Sequence, residues 1–383
     1  MESQKPQKYR LRDSERLLGY KGERKDENKI YYNRFWMESR FFYRIAKMMP
    51  ERFEISAGVL RTKQRAEEVA EKEGVYATEN LDEALKTNPD FAVLCVPRTI
   101  VKEYLVRLME AGLPILCETP PAQNVKELCE LWEETKRLKG RVQIIEQYFL
   151  QPYYAASLEI IRKGFLGETT GVMLSALHGY HAVSMFRKYL GIGFENCRIR
   201  GQKFISDITA TNGREGFDQS GKKVQFERDW ASIAFDNGKT AFLDFAGEQY
   251  FSMIRARRWN IQGVKGEIND MTVRYLTEEN LPVVQEISRF DVGVNNNSEW
   301  AHRGIMFLDQ YLYTNPFYPA RMNDDEIAVA SCLEKMKVYV ETGKDFYSLK
   351  EAAQDTYLSF MIEKAIGSGE EIVTEKQPWA YNS

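Results

Sequence analysis

Histidine is scarce in this chain, with three copies among 383 residues, and three other features are missing: long apolar runs, paired cysteines and an excess of positive charge. No stretch approaches the roughly 20 consecutive apolar residues that cross a bilayer. The opening MESQKPQKYRLRD has no apolar segment of the kind that marks a secretory leader. A cytoplasmic protein without a membrane partner is expected. Cys95, Cys117, Cys129, Cys197 and Cys332 are far apart and form no C-x-x-C pair, which argues against disulfides and zinc and for small buried hydrophobes. The formal net charge is -3 and the pI is near 5.9, with both signs interspersed, so no overall field draws in nucleic acid. His178 and His181 stand close together but lack a third ligand in register, and no metal site is expected.

What is present is enough apolar material, 43% of the residues, for a full core, and a length that suggests two domains. Residues 1–28 mix charges without a period and read as a tail or irregular lead-in. From Lys29 strands and helices alternate: KIYYNRF, then FFYRIAKMM at helical spacing, FEISAGVL, and KQRAEEVAEKEG stopped by Gly74. FAVLCV, an amphipathic helix ending at Gly112, PILCET, VKELCELWEETKRLKG and VQIIEQY continue the pattern. This alternation predicts an α/β domain with a doubly wound parallel sheet over residues 29–150. Past Pro152 come helix, strand and helix, and then CRIRGQKFI, WASIAFDNG, KTAFLDFAG and WNIQGVKGEI as successive strands. They predict an α+β domain over 151–383 with a large, mostly antiparallel open sheet. Two glycine-stopped helices close the chain and pack back, with Asp324 or Asp325 and Ser348 as N-caps and Glu351 completing a capping box.

The segments NPDFAVLCVP, LMEAGLPILCETPPA, EQYFLQP, GFLGE, HAVSMFRKYLG and GVKGEI occur in this order from about Lys29 onward. In that order they resemble the glucose-fructose oxidoreductase, inositol dehydrogenase and rhizopine-catabolism family, written Gfo/Idh/MocA. The resemblance implies a Rossmann domain that binds NAD or NADP. It also implies a second domain whose open sheet faces the active site and supports a homodimer or homotetramer. It further implies hydride transfer on a sugar, polyol or glycoside, with a lysine of an EKP motif and a histidine beside the reacting carbon.

Several positions depart from that pattern. The first βα turn, YYNRFWMESRFF, has no glycine where the family has GxGxxG, so Asn33 would supply a left-handed turn and Arg34 a phosphate contact. Arg61, after the second strand, suits a 2′-phosphate and favours NADP over NAD. Thr119 replaces the EKP lysine, and a hydroxyl does not replace a unit charge worth roughly 4 kcal/mol at 4 Å; Arg187 or Arg98 would then supply the cation. Pro97, Glu118 and Gln147 stand at strand ends where a dinucleotide would lie. His181, at the start of a helix in HAVSMFRKYLG, is the expected acid/base, with Thr119 and Tyr148 beside it, although Ser184 stands where the family often has an aspartate. His178, Tyr180, Arg187, Trp300 and His302, with Arg303 next to them, are the expected substrate contacts. Two readings stay open: an NAD(P)-dependent oxidoreductase, including redox-assisted glycoside cleavage, and a catalytically silent sugar-binding or partner subunit.

Overall fold

A computed structural model of the chain describes residues 28–33, 39–213 and 216–381. Arg34 and the lead-in up to residue 27 lie outside the described residues. The first half alternates β1 (Asn28–Asn33), α1 (Ser39–Met48), β2 (Phe53–Val59), α2 (Lys63–Glu73), β3 (Ala77–Thr78), α3 (Leu81–Leu85), β4 (Phe91–Leu94), α4 (Arg98–Glu110), β5 (Ile115–Cys117), α5 (Val125–Leu138) and β6 (Val142–Ile144). The six strands are parallel and ordered β3-β2-β1-β4-β5-β6. This is a Rossmann sheet, as the alternation predicts. The order reverses between β1 and β4, and ligands bind outside the carboxyl ends of the strands at such a switch point.

Sequence spacing explains how the helices lie on the sheet. Val101, Leu105, Leu108 and Met109 of α4 recur on one face and are buried. Fully burying side chains of this size contributes about 1.5–3 kcal/mol each. Asn124 caps α5 by accepting the Glu127 amide at 3.0 Å, and Lys136 and Arg137 sit in its last turn, where the helix dipole favours cations.

The second half begins with α6 (Pro152–Arg162), β7 (Thr169–Ser175) and α7 (Gly179–Leu190), followed by β8 (Cys197–Thr209) and a small hairpin of β9 (Asn212–Gly213) and β10 (Gly216–Phe217). Next come β11 (Lys223–Phe235), β12 (Thr240–Ala246), β13 (Arg258–Gly263), β14 (Gly266–Asn269), β15 (Thr272–Leu276) and β16 (Pro282–Glu286). A three-stranded sheet of β17 (Ser288–Val294), β18 (Glu299–Phe307) and β19 (Gln310–Thr314) follows. The chain then closes with α8 (Asp324–Thr342), α9 (Leu349–Ser368) and β20 (Ile372–Val373). The large sheet is ordered β16-β15-β14-β13-β7-β12-β11-β8-β20; β7 and β12 run parallel, and the other described neighbours antiparallel.

Three local expectations change. WNIQGVKGEI is a hairpin rather than one strand: Gly263 pairs with Gly266, and a Cβ at Gly263 would stand 2.3 Å from the Leu166 carbonyl oxygen. The cap of α8 is Asn323, not Asp324 or Asp325: its side chain accepts the Glu326 amide at 2.9 Å while Glu326 accepts the Asn323 amide at 3.0 Å. At α9, Ser348 accepts the Glu351 amide, but the Glu351 carboxylate reaches Arg187 instead of closing a box.

The last two helices pack against the Rossmann sheet. Ile327, Ala330, Leu333 and Met336 of α8 share a core with Phe42 and Ile45 of α1 and with Phe53, Phe91 and Val93 of the sheet. Leu349 and Ala352 of α9 join the core on the other face, and the Ile144 amide donates to the Tyr347 carbonyl at 2.9 Å. Beyond α9, Trp379 is fully buried and donates from Nε1 to Gln354 Oε1 at 2.9 Å. Among the described residues no helix is long and apolar enough to cross a membrane.

Candidate active site

The carboxyl ends of the strands carry most of the residues expected to meet a dinucleotide. Asn33 closes β1, exposed Arg61 follows β2, half-buried Pro97 precedes α4, Glu118 follows β5, and Gln147 follows β6. The Glu118 amide donates to the Leu94 carbonyl at 2.9 Å, which ties the turn after β5 to β4. Thr119 is half-buried, and its amide donates to Glu118 Oε2 at 3.3 Å. Strand β6 ends at Ile144, so Tyr148 opens a 3-10 turn, Tyr148–Leu150, instead of ending a strand.

That turn brings a carboxylate to the histidine. Glu146 is fully buried; one of its oxygens accepts the Tyr148 amide at 3.1 Å and the other lies 2.7 Å from His181 Nδ1. The buried His181 belongs to the first turn of α7, and the rings of Tyr148, His178 and Tyr180 lie 4.6, 5.1 and 5.4 Å from its own. A carboxylate on Nδ1 fixes the ring and its tautomer and leaves Nε2 for a ligand. Glu146 thus supplies the support that Ser184 cannot; the Ser184 hydroxyl donates to the His181 carbonyl at 2.9 Å. Sequence reading passed over Glu146, although a lone acid after the apolar run VQII is a usable signal.

Tyr250, from a 3-10 turn at Gly247–Tyr250, was not anticipated either. Its hydroxyl lies 2.7 Å from His178 Nδ1 and shares a hydrogen bond with Tyr148. Burial pushes the Tyr148 hydroxyl well above the usual phenol range. The surface of His178 opens to solvent, but protein crowds the ring. That crowding, then the charges of His181 and Arg98, hold its pKa down to about 4 from 6.5. His178 therefore stays neutral in the fold while an unfolded chain would protonate it. Its contribution to stability is intact above about 6.5 and is lost as pH falls toward 4. With three histidines in the chain, labelled imidazoles give three resonances. The one that His178→Asn removes is expected to titrate near 4, and a midpoint near 6.5 would contradict this environment.

The other expected contacts sit differently. Arg187 is buried and already occupied: Nη1 donates to Asp355 at 2.7 Å, Nη2 to Glu351 at 2.6 Å and Nε to the Gly193 carbonyl at 3.1 Å. It is thus a structural cation and not the substrate contact or the lysine substitute expected of it. Tyr180 is buried behind His181 with its hydroxyl unpartnered. Trp300 is 68% exposed on β18, while His302 on the same strand is buried, bonds Asp291 at 2.8 Å and stacks on Tyr313; neither is among the ring contacts of His181.

Residues 36–146 match the model of an oxidoreductase family with an NAD-binding Rossmann fold, GFO_IDH_MocA. Over these residues the Rossmann domain is similar to that family. Solved structures match most of the chain in fold. An oxidoreductase from Agrobacterium radiobacter in complex with NAD+, L-tartaric acid and magnesium has a TM-score of 0.65 at 13% identity, covering 91% of this chain and 98% of that one. A putative myo-inositol dehydrogenase from Sinorhizobium meliloti 1021 has 0.61 at 14% identity, covering 90% and 99%. An aldose-aldose oxidoreductase from Caulobacter crescentus complexed with glycerol has 0.60 at 15% identity, covering 91% and 99%. At these identities the likeness shows the fold. No curated protein matches the sequence.

Proposed function

We propose that the chain is an NAD(P)-dependent oxidoreductase acting on a sugar, polyol or glycoside, with His181 as its acid/base. The observation that carries this reading is the bond between Glu146 and His181 Nδ1. It holds an imidazole at the end of a Rossmann sheet with Nε2 available to take a proton from a hydroxyl, and it stabilises the imidazolium that results. Tyr148 and the His178–Tyr250 pair are placed to orient the hydroxyl-bearing ligand.

The residues fit a dinucleotide at one testable point. Gln147 Oε1 is buried without a hydrogen-bond partner beside Glu146, and an amide N–H of a bound group would satisfy it. Arg61, Pro97, Glu118 and Gln147 would hold the dinucleotide, and Arg61 favours the 2′-phosphate of NADP. When bound, its nicotinamide ring takes up the hydride. The open sheet suits a homodimer or homotetramer.

One observation favours a second reading, a sugar-binding or partner subunit without turnover. Among the described residues no lysine or arginine hydrogen-bonds Thr119 or His181. Calorimetric titration of the full chain with NADH and NADPH separates the two. Binding at sub-millimolar concentration, tighter for NADPH, is the expected result, and no binding of either would establish the second reading.

A further inference from the structure

Two arginines near the histidines have no carboxylate within ion-pair distance among the described residues, although Asp325 lies close enough to Arg257, and Glu363 to Arg98, to feel their charge. Arg98, the first residue of α4, and Arg257, in the loop before β13, are both exposed, and neither makes an ion pair among the described residues. Their neighbours differ: Arg258 bonds Asp244 at 3.3 Å and Arg255 donates to the Ile254 carbonyl. Arg257 instead lies with its guanidinium 5.2 Å from the centroid of the Tyr250 ring. The Tyr250 hydroxyl lies 2.7 Å from His178 Nδ1, and the His178 ring is 5.1 Å from that of His181. Arg98, on the Rossmann domain, is near enough for its charge to act on His178.

The acids of the crevice are already engaged. Glu146 is bound to His181, and Asp325 accepts the side-chain amide of Gln151 at 2.6 Å. A carboxylate or phosphate bound beside Tyr250 would give Arg257 the direct partner that no carboxylate among the described residues provides. We infer that the substrate is an anionic sugar, a sugar acid or a sugar phosphate, whose charged group is taken by Arg257 while a hydroxyl of the same ring meets His181. Arg257, Tyr250, His178 and His181 follow one another in contact, so a ligand whose hydroxyl meets His181 would carry a charged substituent toward Arg257. A planar guanidinium matches a carboxylate or phosphate with two parallel hydrogen bonds, and Arg257 is the specificity-determining residue. This inference rests on the sugar-directed reading above, but its test does not depend on turnover.

The test is calorimetry on the full chain with D-glucose, D-glucuronate and D-glucose 6-phosphate, repeated with Arg257→Gln and Arg257→Lys. At least one of the two anions is expected to bind roughly tenfold or more tightly than D-glucose. The glucuronate and phosphate arms identify which group is recognised. Arg257→Gln should erase the preference while leaving D-glucose within roughly twofold, and Arg257→Lys should keep part of it. Raised salt should weaken the anion alone. The inference is overturned if D-glucose binds as tightly as both anions, if neither anion binds, or if the preference survives Arg257→Gln. NADH and NADPH titrated into the same samples report on the dinucleotide separately. A chain that discriminates anions but binds neither dinucleotide would refute the oxidoreductase reading and leave this one standing.

Discussion

Replacing His181 by alanine should lower turnover by roughly 10²- to 10⁴-fold, the usual contribution of a positioned acid/base, while dinucleotide affinity stays near that of the parent chain. Glu146→Gln should produce a loss of the same order. An amide of nearly the same shape still fits the buried position, but it carries no charge to stabilise an imidazolium, and its NH2 can hold Nδ1 as an acceptor and so select the wrong tautomer. The Tyr148 amide that Glu146 also accepts would keep a partner in the glutamine carbonyl, so the fold should survive. Initial rates of both variants at saturating substrate, with circular dichroism to confirm folding, check the assignment. Parent-like rates in His181→Ala would remove His181 from the chemistry. A silent Glu146→Gln would show that the carboxylate only packs.

The largest effect on stability is expected at Arg187, which joins α7 to α9. Its guanidinium is 3% exposed and Asp355 is fully buried, and the Tyr347 hydroxyl donates to the second oxygen of Asp355. Arg187→Met leaves a buried carboxylate without its cation, and breaking such a pair costs about 3–5 kcal/mol. Pairing it with Asp355→Leu removes both charges and should restore most of the loss, since well-packed apolar replacements of buried ion pairs are often neutral. Urea unfolding of the single and double variants measures this. A single-variant loss below about 1 kcal/mol would mean that the pair behaves as an exposed surface bridge.

These two sites also show what the sequence could and could not reveal. The Rossmann half was legible because each strand is an apolar run bounded by its own turn and each helix carries an apolar face with a local stop, such as Gly74 after α2. Five later strands, β15 to β19, went unread: exposed positions interrupt their apolar pattern, and Asn295, Asn296 and Asn297 between β17 and β18 look like loop while turning the chain at positive φ. Arg187 looked like a free cation because its partners Glu351 and Asp355 are 164 and 168 residues away, a pairing no local pattern encodes. His181 could be singled out because HAVSMFRKYLG resembles the family segment that supplies a histidine at a helix start, but Glu146, 35 residues earlier, became its partner only once β6 and α7 met.

Helix α8, drawn from the end of the chain, has a consequence for how the protein is made. It supplies Ile327, Ala330, Leu333 and Met336 to a core whose other members, Phe317 and Met322 just before the helix apart, lie between Phe42 and Ile145 or in α8 itself. Domains usually fold in the order in which the ribosome releases them. Here the Rossmann sheet emerges early, yet one of its faces is covered only in part, by α1 and α2, until α8 has left the exit tunnel. Until then the side of Phe42, Ile45 and Phe91 that α8 covers stays exposed to water and to other nascent chains, so the first half of the protein to be synthesised is among the last to be complete.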